Sequence, residues 1–438
     1  LNRSNLMEKI FQLSANHTNA RTEFTAGLTI FMTMLYVLIV VPGMLEGAGI
    51  PKGPVTVAVI LMTGLVTIIM GVYSNRPFAL APGLGSVAFL SVTLVVAEGI
   101  PWQVGMGMVF ISGVLFVLFT ILGLRQLIVR LIPPAIKLSI GAGVGLFIAL
   151  IGFRNAGLVT ASESANSLQL GDIGSPNAIL ALIGFFIMSV LLARNVRGHL
   201  LIGIIAVTLI GIPMGVTQLP SSIFSLPESV APVLFQLDVM EALDVSYFPF
   251  LLAFFVPDFF SSLGTMLGVA GKGNMLDKNG NLPQIDKPFS VDAGGTVLGS
   301  LFSVPVMTTY VESATGVEAG GRTGLTAVST GILFLLTLFV TPLIMIIPTE
   351  ATAPALILVG LTMLSSVRNI NFQDVTESLP AFMTIVITIF TFNFGNGIAS
   401  GIIIYVLVKS LSGRYKEVHP GLYILLIPLI IYFITLAE

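Results

Sequence analysis

Cysteine is absent from the 438 residues, tryptophan occurs once and histidine three times. Without cysteine there are no disulfides, no thiolate metal sites and no cysteine nucleophile. His17, His199 and His419 fall in predicted loops or termini, where none reads as a metal ligand inside a membrane. Charge is scarce as well: 9% of residues are Asp, Glu, Lys or Arg, against roughly 25% in soluble domains. With a net charge of −2 and no basic block or aromatic–basic stripe, nothing points to a nucleic-acid partner. The first twenty residues lack an apolar core and a small-residue cleavage site, so no cleavable signal peptide is expected. Met7 to Phe11 reads instead as a short amphipathic helix on the membrane surface, within a cytoplasmic segment covering residues 1–20. No motif calls for a cofactor or a metal.

What the chain has in excess is apolar length. Hydrophobic residues make up 55% and mean hydropathy is +1.01. Runs long enough to cross a bilayer recur from Phe24 onward, at about 24–45, 54–73, 78–97, 104–123, 136–154, 177–193 and 199–217. A second set follows at about 246–269, 290–302, 306–319, 325–347, 352–367, 377–392 and 398–410. The pattern predicts an all-α polytopic membrane protein of about fourteen segments. The spans 290–302 and 306–319 are too short to cross alone, and the second begins at Pro305. The third segment carries a matching interruption, Ala79-Leu-Ala-Pro-Gly-Leu-Gly-Ser-Val-Ala88. Breaks at corresponding places in two halves point to inverted repeats with a binding site between them. Val40-Val-Pro-Gly43 and Phe255-Val-Pro-Asp258 are a faint echo of the same kind.

Orientation follows from the basic residues. Lys9, Arg21, Arg76, Arg125, Arg130, Lys137, Arg194, Arg197, Lys272, Lys278, Lys287, Arg322 and Arg368 fall on one side. Glu46, Glu98, Glu163, Asp172, Glu228, Asp238, Asp244 and Glu350 fall on the other, with Lys52 and Arg154 as exceptions. The positive-inside rule then puts the N-terminus in the cytoplasm. Lys409, Arg414 and Lys416 join that side if 377–392 and 398–410 both cross, and Leu422 to Leu436 is then an extra crossing or an embedded helix.

Two acids lie within predicted spans. Asp258 follows Pro257 in the middle of the eighth, and Glu312 sits in Val304-Pro-Val-Met-Thr-Thr-Tyr-Val-Glu-Ser-Ala-Thr-Gly316. Burying an ionised group costs several kcal/mol unless it is paired or used, so both are functional candidates; the plainer reading is a structural hydrogen bond. Glu318 is read as paired with Arg322 four residues on, and Asp292 as a cap on the ninth segment. Gly83, Gly85 and Ser86 lie at the third-segment break, where glycine either permits close packing or exposes helix N-terminal N–H groups to a cavity. Phe89, Phe259 and Phe260 are candidates for an aromatic wall. No basic residue lies deep in a span. Two carboxylates without a cation suit a cation, or a neutral ligand rich in N–H donors such as a nucleobase.

At these residues the sequence resembles the nucleobase–cation symporters of the nucleobase–ascorbate transporter class, in the azaguanine-type purine permease branch. The matching text is Arg21-Thr-Glu-Phe-Thr-Ala-Gly-Leu-Thr29, Ala79-Leu-Ala-Pro-Gly-Leu-Gly85, Trp102-Gln-Val and Ile140-Gly-Ala-Gly-Val-Gly-Leu-Phe147. It continues with Tyr310-Val-Glu-Ser-Ala-Thr-Gly316, Gly320-Gly-Arg-Thr-Gly-Leu-Thr326 and Ala353-Pro-Ala-Leu356. The resemblance implies fourteen spans as two inverted sevens. It implies a core domain (21–125 and 246–349) moving against a gate domain (126–245 and 350–438). It also implies proton-coupled purine uptake across the cell (inner) membrane, and substrate contacts at Asp258, Glu312 and Gly85. The chain departs from the family pattern at Val41, where Asn is usual before Pro42, and at Val87, where a substrate-contacting Asn is usual. Ser261 stands in place of a second acid, and Val304-Pro-Val-Met307 in place of a Thr/Ser-rich run.

The reading is therefore a carrier and not an enzyme, importing hypoxanthine-, guanine- or adenine-type bases with protons by alternating access. Its substrate-binding candidates are Glu312, Asp258, Gly85, Ser86, Val87, Phe89 and Thr309, with Asp258 and Glu312 coupling protons. Expected partners are the nucleobase, the proton, the lipid bilayer and a second copy of the chain in a homodimer. A pyrimidine or xanthine carrier, a passive channel and a membrane enzyme are the alternatives.

Overall fold

A backbone that leaves a helix inside a membrane must find partners for its N–H and C=O groups without help from water. This chain does so at residues 80–82 and 307–309, and the two breaks pair with each other. The computed structural model describes residues 3–123, 131–161, 168–220, 222–278, 281–391 and 393–435. Arg125, Arg130, Glu163 and Leu436 of the orientation and C-terminal readings lie outside these ranges.

The elements run in order α1 (Arg3–Phe11), α2 (Ala20–Met34), α3 (Val37–Glu46), α4 (Lys52–Ser74), β1 (Leu80–Pro82), α5 (Leu84–Ala88, continued as a π-helix over Phe89–Ala97) and α6 (Trp102–Ile121). Next come α7 (Pro134–Asn155), β2 (Val159–Ala161), β3 (Leu168–Leu170), α8 (Pro176–Ala193), α9 (His199–Gly211) and the short α10 (Val239–Ala242). The second half has α11 (Phe248–Lys272), α12 (Asp286–Leu301), β4 (Met307–Thr309), α13 (Ser313–Glu318), α14 (Gly324–Leu336) and α15 (Thr341–Met345). It ends with α16 (Thr349–Leu364), α17 (Val375–Thr391), α18 (Phe394–Leu411) and α19 (Pro420–Thr435). Starts follow local chemistry. Asn19 caps α2 by accepting from the Thr22 N–H, and Ser175 caps α8 with Pro176 at the first helical position.

Among the described residues, eight helical stretches are long and apolar enough to cross a membrane, and five shorter apolar helices accompany them. The chain is a helical polytopic membrane protein. Three expectations need correction. The fold is not purely helical, since β1 pairs with β4 and β2 with β3. The ninth segment is not a fragment starting near 290, because α12 begins at Asp286 and runs 16 residues. That is roughly 24 Å of helix. Glu318 does not pair with Arg322 but with Lys272, at 2.7 Å. Arg322 turns its guanidinium onto the Val317 and Gly321 carbonyls.

The antiparallel register is Leu80↔Thr309, Ala81↔Thr308 and Pro82↔Met307. Two threonines meet groups that the ladder leaves over. The Thr67 hydroxyl on α4 donates to the Leu80 carbonyl at 3.1 Å and accepts from the Leu80 N–H at 3.0 Å. The Thr296 hydroxyl on α12 treats Met307 in the same way, at 3.1 Å in both directions. A hydroxyl both donates and accepts, which no apolar isostere can copy.

Helix contacts sort into two sets. In one, α14 packs on α4 and α2, while α12 and α11 pack on α6. Gly71 and Gly324 let α4 and α14 touch backbone to backbone: a Cβ on Gly324 would lie 1.8 Å from the Gly71 carbonyl. In the other, α16 packs on α7, α8 and α9, while α17 packs on α7 and α18. A Cβ on Gly360 would lie 2.3 Å from the Gly145 carbonyl. The sets meet where α5 and α11 face α7 and α18.

Charges sit at the helix ends. Glu23, fully buried, accepts from the N–H groups of Arg322 (2.9 Å), Thr323 (3.2 Å) and Thr326 (3.2 Å) and so caps α14 from α2. Where α17 begins and α18 ends, buried Lys409 pairs with Glu377 and Glu417, and Arg414 with Asp374 and Glu417. The Thr376 hydroxyl and then Arg414 hold the Asp374 carboxyl down at about 2. Arg414 and then Lys409 do the same for Glu417, also about 2.

Two predictions follow from this chemistry. Thr67→Val and Thr296→Val each strand a buried N–H and a buried C=O, and should cost about 1–3 kcal/mol. Serine at either position should cost less. Thermal unfolding in detergent checks this, and a neutral valine would contradict it. The carboxyls of Asp374 and Glu417 lie below their unfolded values of roughly 3.9 and 4.3. Their stabilisation is therefore complete above about pH 5 and is lost as pH falls from about 4 toward 2. Arg414→Gln should flatten that acid limb, measured as Tm against pH.

Candidate functional site

Pro42 has no N–H for the Leu38 carbonyl, and one turn earlier the helix tightens, with Leu38 bonding Leu35 and Ile39 bonding Tyr36. The tightening places Tyr36 opposite the segment after β4. Its hydroxyl donates to Glu312 Oε1 at 3.0 Å. Glu312 Oε2 is buried with no protein partner. The neighbouring Val311 is 65% exposed, and Glu312 itself is half-buried.

On the other side of β4 the strand meets α11 and α12. Thr309 donates to Asp292 Oδ2 twice, from its N–H at 3.1 Å and its hydroxyl at 2.8 Å. Thr308 shares a 2.8 Å hydrogen bond with Ser262. Asp258 lies beside Thr308 and within electrostatic range of Asp292. Asp258 Oδ1 and Asp292 Oδ1 are both buried without a protein partner. Among the described residues, buried polar side-chain atoms without a partner number seven, and three of them are these carboxylate oxygens. Among the described residues, none of the three acids joins an ion pair.

Across the strand pair, Gly83, Gly85 and Ser86 are half-buried at the start of α5. The Gly83 N–H is taken by the Val306 carbonyl at 2.8 Å, and the Tyr310 hydroxyl closes the turn onto the Pro82 carbonyl at 2.5 Å. The Ser86 hydroxyl donates to the Gly83 carbonyl at 2.9 Å and keeps its lone pairs as acceptors. Val87 is fully buried. So is Phe89, whose ring packs edge-on against Phe254 at 5.1 Å and near Phe250. Phe259 lies in a cluster with Phe116 and Phe289, while Phe260 sits under the Lys137 ammonium at 4.9 Å.

Glu312, Asp258, Thr309, Gly85 and Ser86 therefore gather around one strand crossing. Ser261, flagged as a lost acid, is exposed, and it is Ser262 that faces the cluster. Asp292 does not cap a helix; it lies in the second turn of α12 and anchors β4, so that reading is corrected. The cost argument that singled out Asp258 would have found it had α12 been started at Asp286. Tyr36 carried no sequence signal at all. A cavity of about 40 Å³ near Lys52, Asn155 and Thr349, and a groove of about 230 Å³ between α4 and α12, lie apart from the crossing.

The strand pair packs on α4, α11 and α12, and beside it, among the described residues, three acids keep an oxygen without a partner. A model of the permease family matches residues 21–400. The chain is 38% identical to the adenine permease AdeQ of Escherichia coli K12, over 95% of this chain and 94% of that one. It is 37% identical to the guanine/hypoxanthine permease PbuO of Bacillus subtilis 168, over 98% and 99%. Among solved structures, the transmembrane domain of the cyanobacterial bicarbonate transporter BicA superposes with a TM-score of 0.64 at 17% identity, covering 87% of this chain and 97% of that one. The chain belongs to the xanthine/uracil permease family, the nucleobase–ascorbate transporters.

Because Asp292 holds β4 by two donors, Asp292→Ala should destabilise the protein by about 1–3 kcal/mol, and Asp292→Asn, which keeps an acceptor, by less. Equal thermal shifts for the two variants would contradict the anchoring role.

Proposed function

We propose that the chain imports purine nucleobases together with protons, by alternating access. The observation that carries this is the set of three buried carboxylate oxygens that, among the described residues, have neither a hydrogen-bond partner nor a paired cation, on and around the strand paired with the break before α5. A ligand bringing several N–H donors satisfies them at a profit, because each oxygen has already been desolvated by the fold. The α5 N-terminus and the Ser86 lone pairs offer complementary groups to the other edge of a planar base. The similarity to AdeQ, an adenine permease, and PbuO, a guanine/hypoxanthine permease, favours a purine over a pyrimidine.

Asp258 is the coupling residue in this reading, with Asp292 beside it. Two carboxylates close together in a dry site repel, and a proton on either one relieves that repulsion. Fourteen segments in two inverted sevens are supported by paired contacts: α4 with α14 mirrors α12 with α6, and α8 with α9 mirrors α17 with α18. The matched Thr67 and Thr296 clamps support the same symmetry. In this scheme the first helix set is a core rocking against the second as a gate. The N-terminus lies in the cytoplasm of a cell whose inner membrane holds the carrier.

Counterflow with radiolabelled hypoxanthine, guanine, adenine, uracil and xanthine tests the substrate class, and exchange of uracil alone would overturn it. Glu312→Gln should fold normally and weaken purine binding by about ten- to a hundredfold, the size of a charge-assisted hydrogen bond. Asp258→Asn should keep some exchange and lose accumulation driven by an inward proton gradient. A mutant that still concentrates substrate would place coupling elsewhere.

A further inference from the structure

We propose that Tyr36 is a positioning residue for substrate recognition, dividing Glu312 into one oxygen held by the protein and one presented to the ligand. The proposal rests on the reading of Glu312 as a substrate anchor. A glutamate side chain has three rotatable bonds, and a carboxylate with both oxygens free swings among rotamers and engages ligands from several angles. Here the phenol is 2% exposed, so its aim is fixed by packing, and it grips Oε1 at 3.0 Å. Oε2 is left buried and without a protein donor.

The two residues come from opposite halves of the chain, 276 positions apart, so each is placed by a separate backbone device. Tyr36 stands at the tightened turn ahead of Pro42, between α2 and α3. Glu312 stands where β4 gives way to α13, with its own carbonyl already taken by the Thr315 N–H at 2.9 Å and hydroxyl at 2.7 Å. With the backbone and one oxygen both tied, the remaining oxygen is preorganised, and a preorganised acceptor binds more tightly than a mobile one. Tyr36 does not need to touch the ligand for this.

A double-mutant cycle on hypoxanthine affinity, measured on purified full-length protein, separates the roles. Tyr36→Phe in the native background should weaken binding about tenfold, the scale of one hydrogen bond to a charged group. In the Glu312→Gln background the same change should cost less than about twofold, because there is no carboxylate left to orient. Equal losses in both backgrounds would mean that Tyr36 is only structural, and no loss in the native background would overturn the proposal directly. If Glu312→Gln itself binds hypoxanthine like the native protein, the anchor reading fails, and that outcome is distinct from the others. Tyr36→Gln and Tyr36→Leu repeat the test without the ring. Only the amide keeps a donor, so the glutamine variant should bind at least about threefold more tightly, and equality of the two would count against the proposal.

Discussion

Everything in this molecule is arranged around one awkward fact, a stretch of extended backbone set among apolar helices. Six residues, three from each half, pair as β1 and β4. Their outward-facing groups are met by Thr67, Thr296 and Asp292, and Ser313 accepts from the Ala79 N–H just ahead of β1. An unsatisfied peptide group in such a place costs several kcal/mol, so each of these side chains is under strong physical constraint. The same requirement builds the site. To anchor β4 at Thr309, a carboxylate must be buried in α12, and its second oxygen is then left open next to Asp258. Structure and chemistry share the same atoms.

The remaining charges are spent on holding the helices in place. Glu23 reaches from α2 to the N-terminus of α14 and collects three backbone N–H groups. A carboxylate there gains both hydrogen bonds and the helix dipole. At the beginning of α17 and the end of α18, Lys409 is buried but satisfied on two sides by acids. The three acids at the crossing differ from these in having oxygens left over. That difference, rather than burial alone, is what marks them out as the candidate site.

Much of this was legible in the sequence, and the failures have physical reasons. Apolar run length located the helices to within a few residues because the membrane imposes a length on each. The cost of an intramembrane acid found Asp258 and Glu312, and the proline–glycine text of 79–88 and 304–316 marked the break points. Strand pairing between residues 80 and 309 was invisible, since nothing local announces a contact across 229 positions. Asp292 was misread for a related reason: a helix boundary placed four residues late turned a buried anchor into a cap. Tyr36 is one aromatic among many in apolar text, and only the fold shows that its hydroxyl meets an acid. Arg322 shows the limit of spacing rules, because Lys272 takes its place as the partner of Glu318, four residues before it.

The most direct test of the account is a structure with hypoxanthine bound, at a resolution that fixes the orientation of the base. The base should lie against Gly85 and Ser86, with ring N–H groups within hydrogen-bond distance of Glu312 Oε2 and Asp258 Oδ1. A base bound instead in the cavity near Lys52 and Asn155, with those two oxygens still lacking a partner, would contradict the claim that the strand crossing is the binding site.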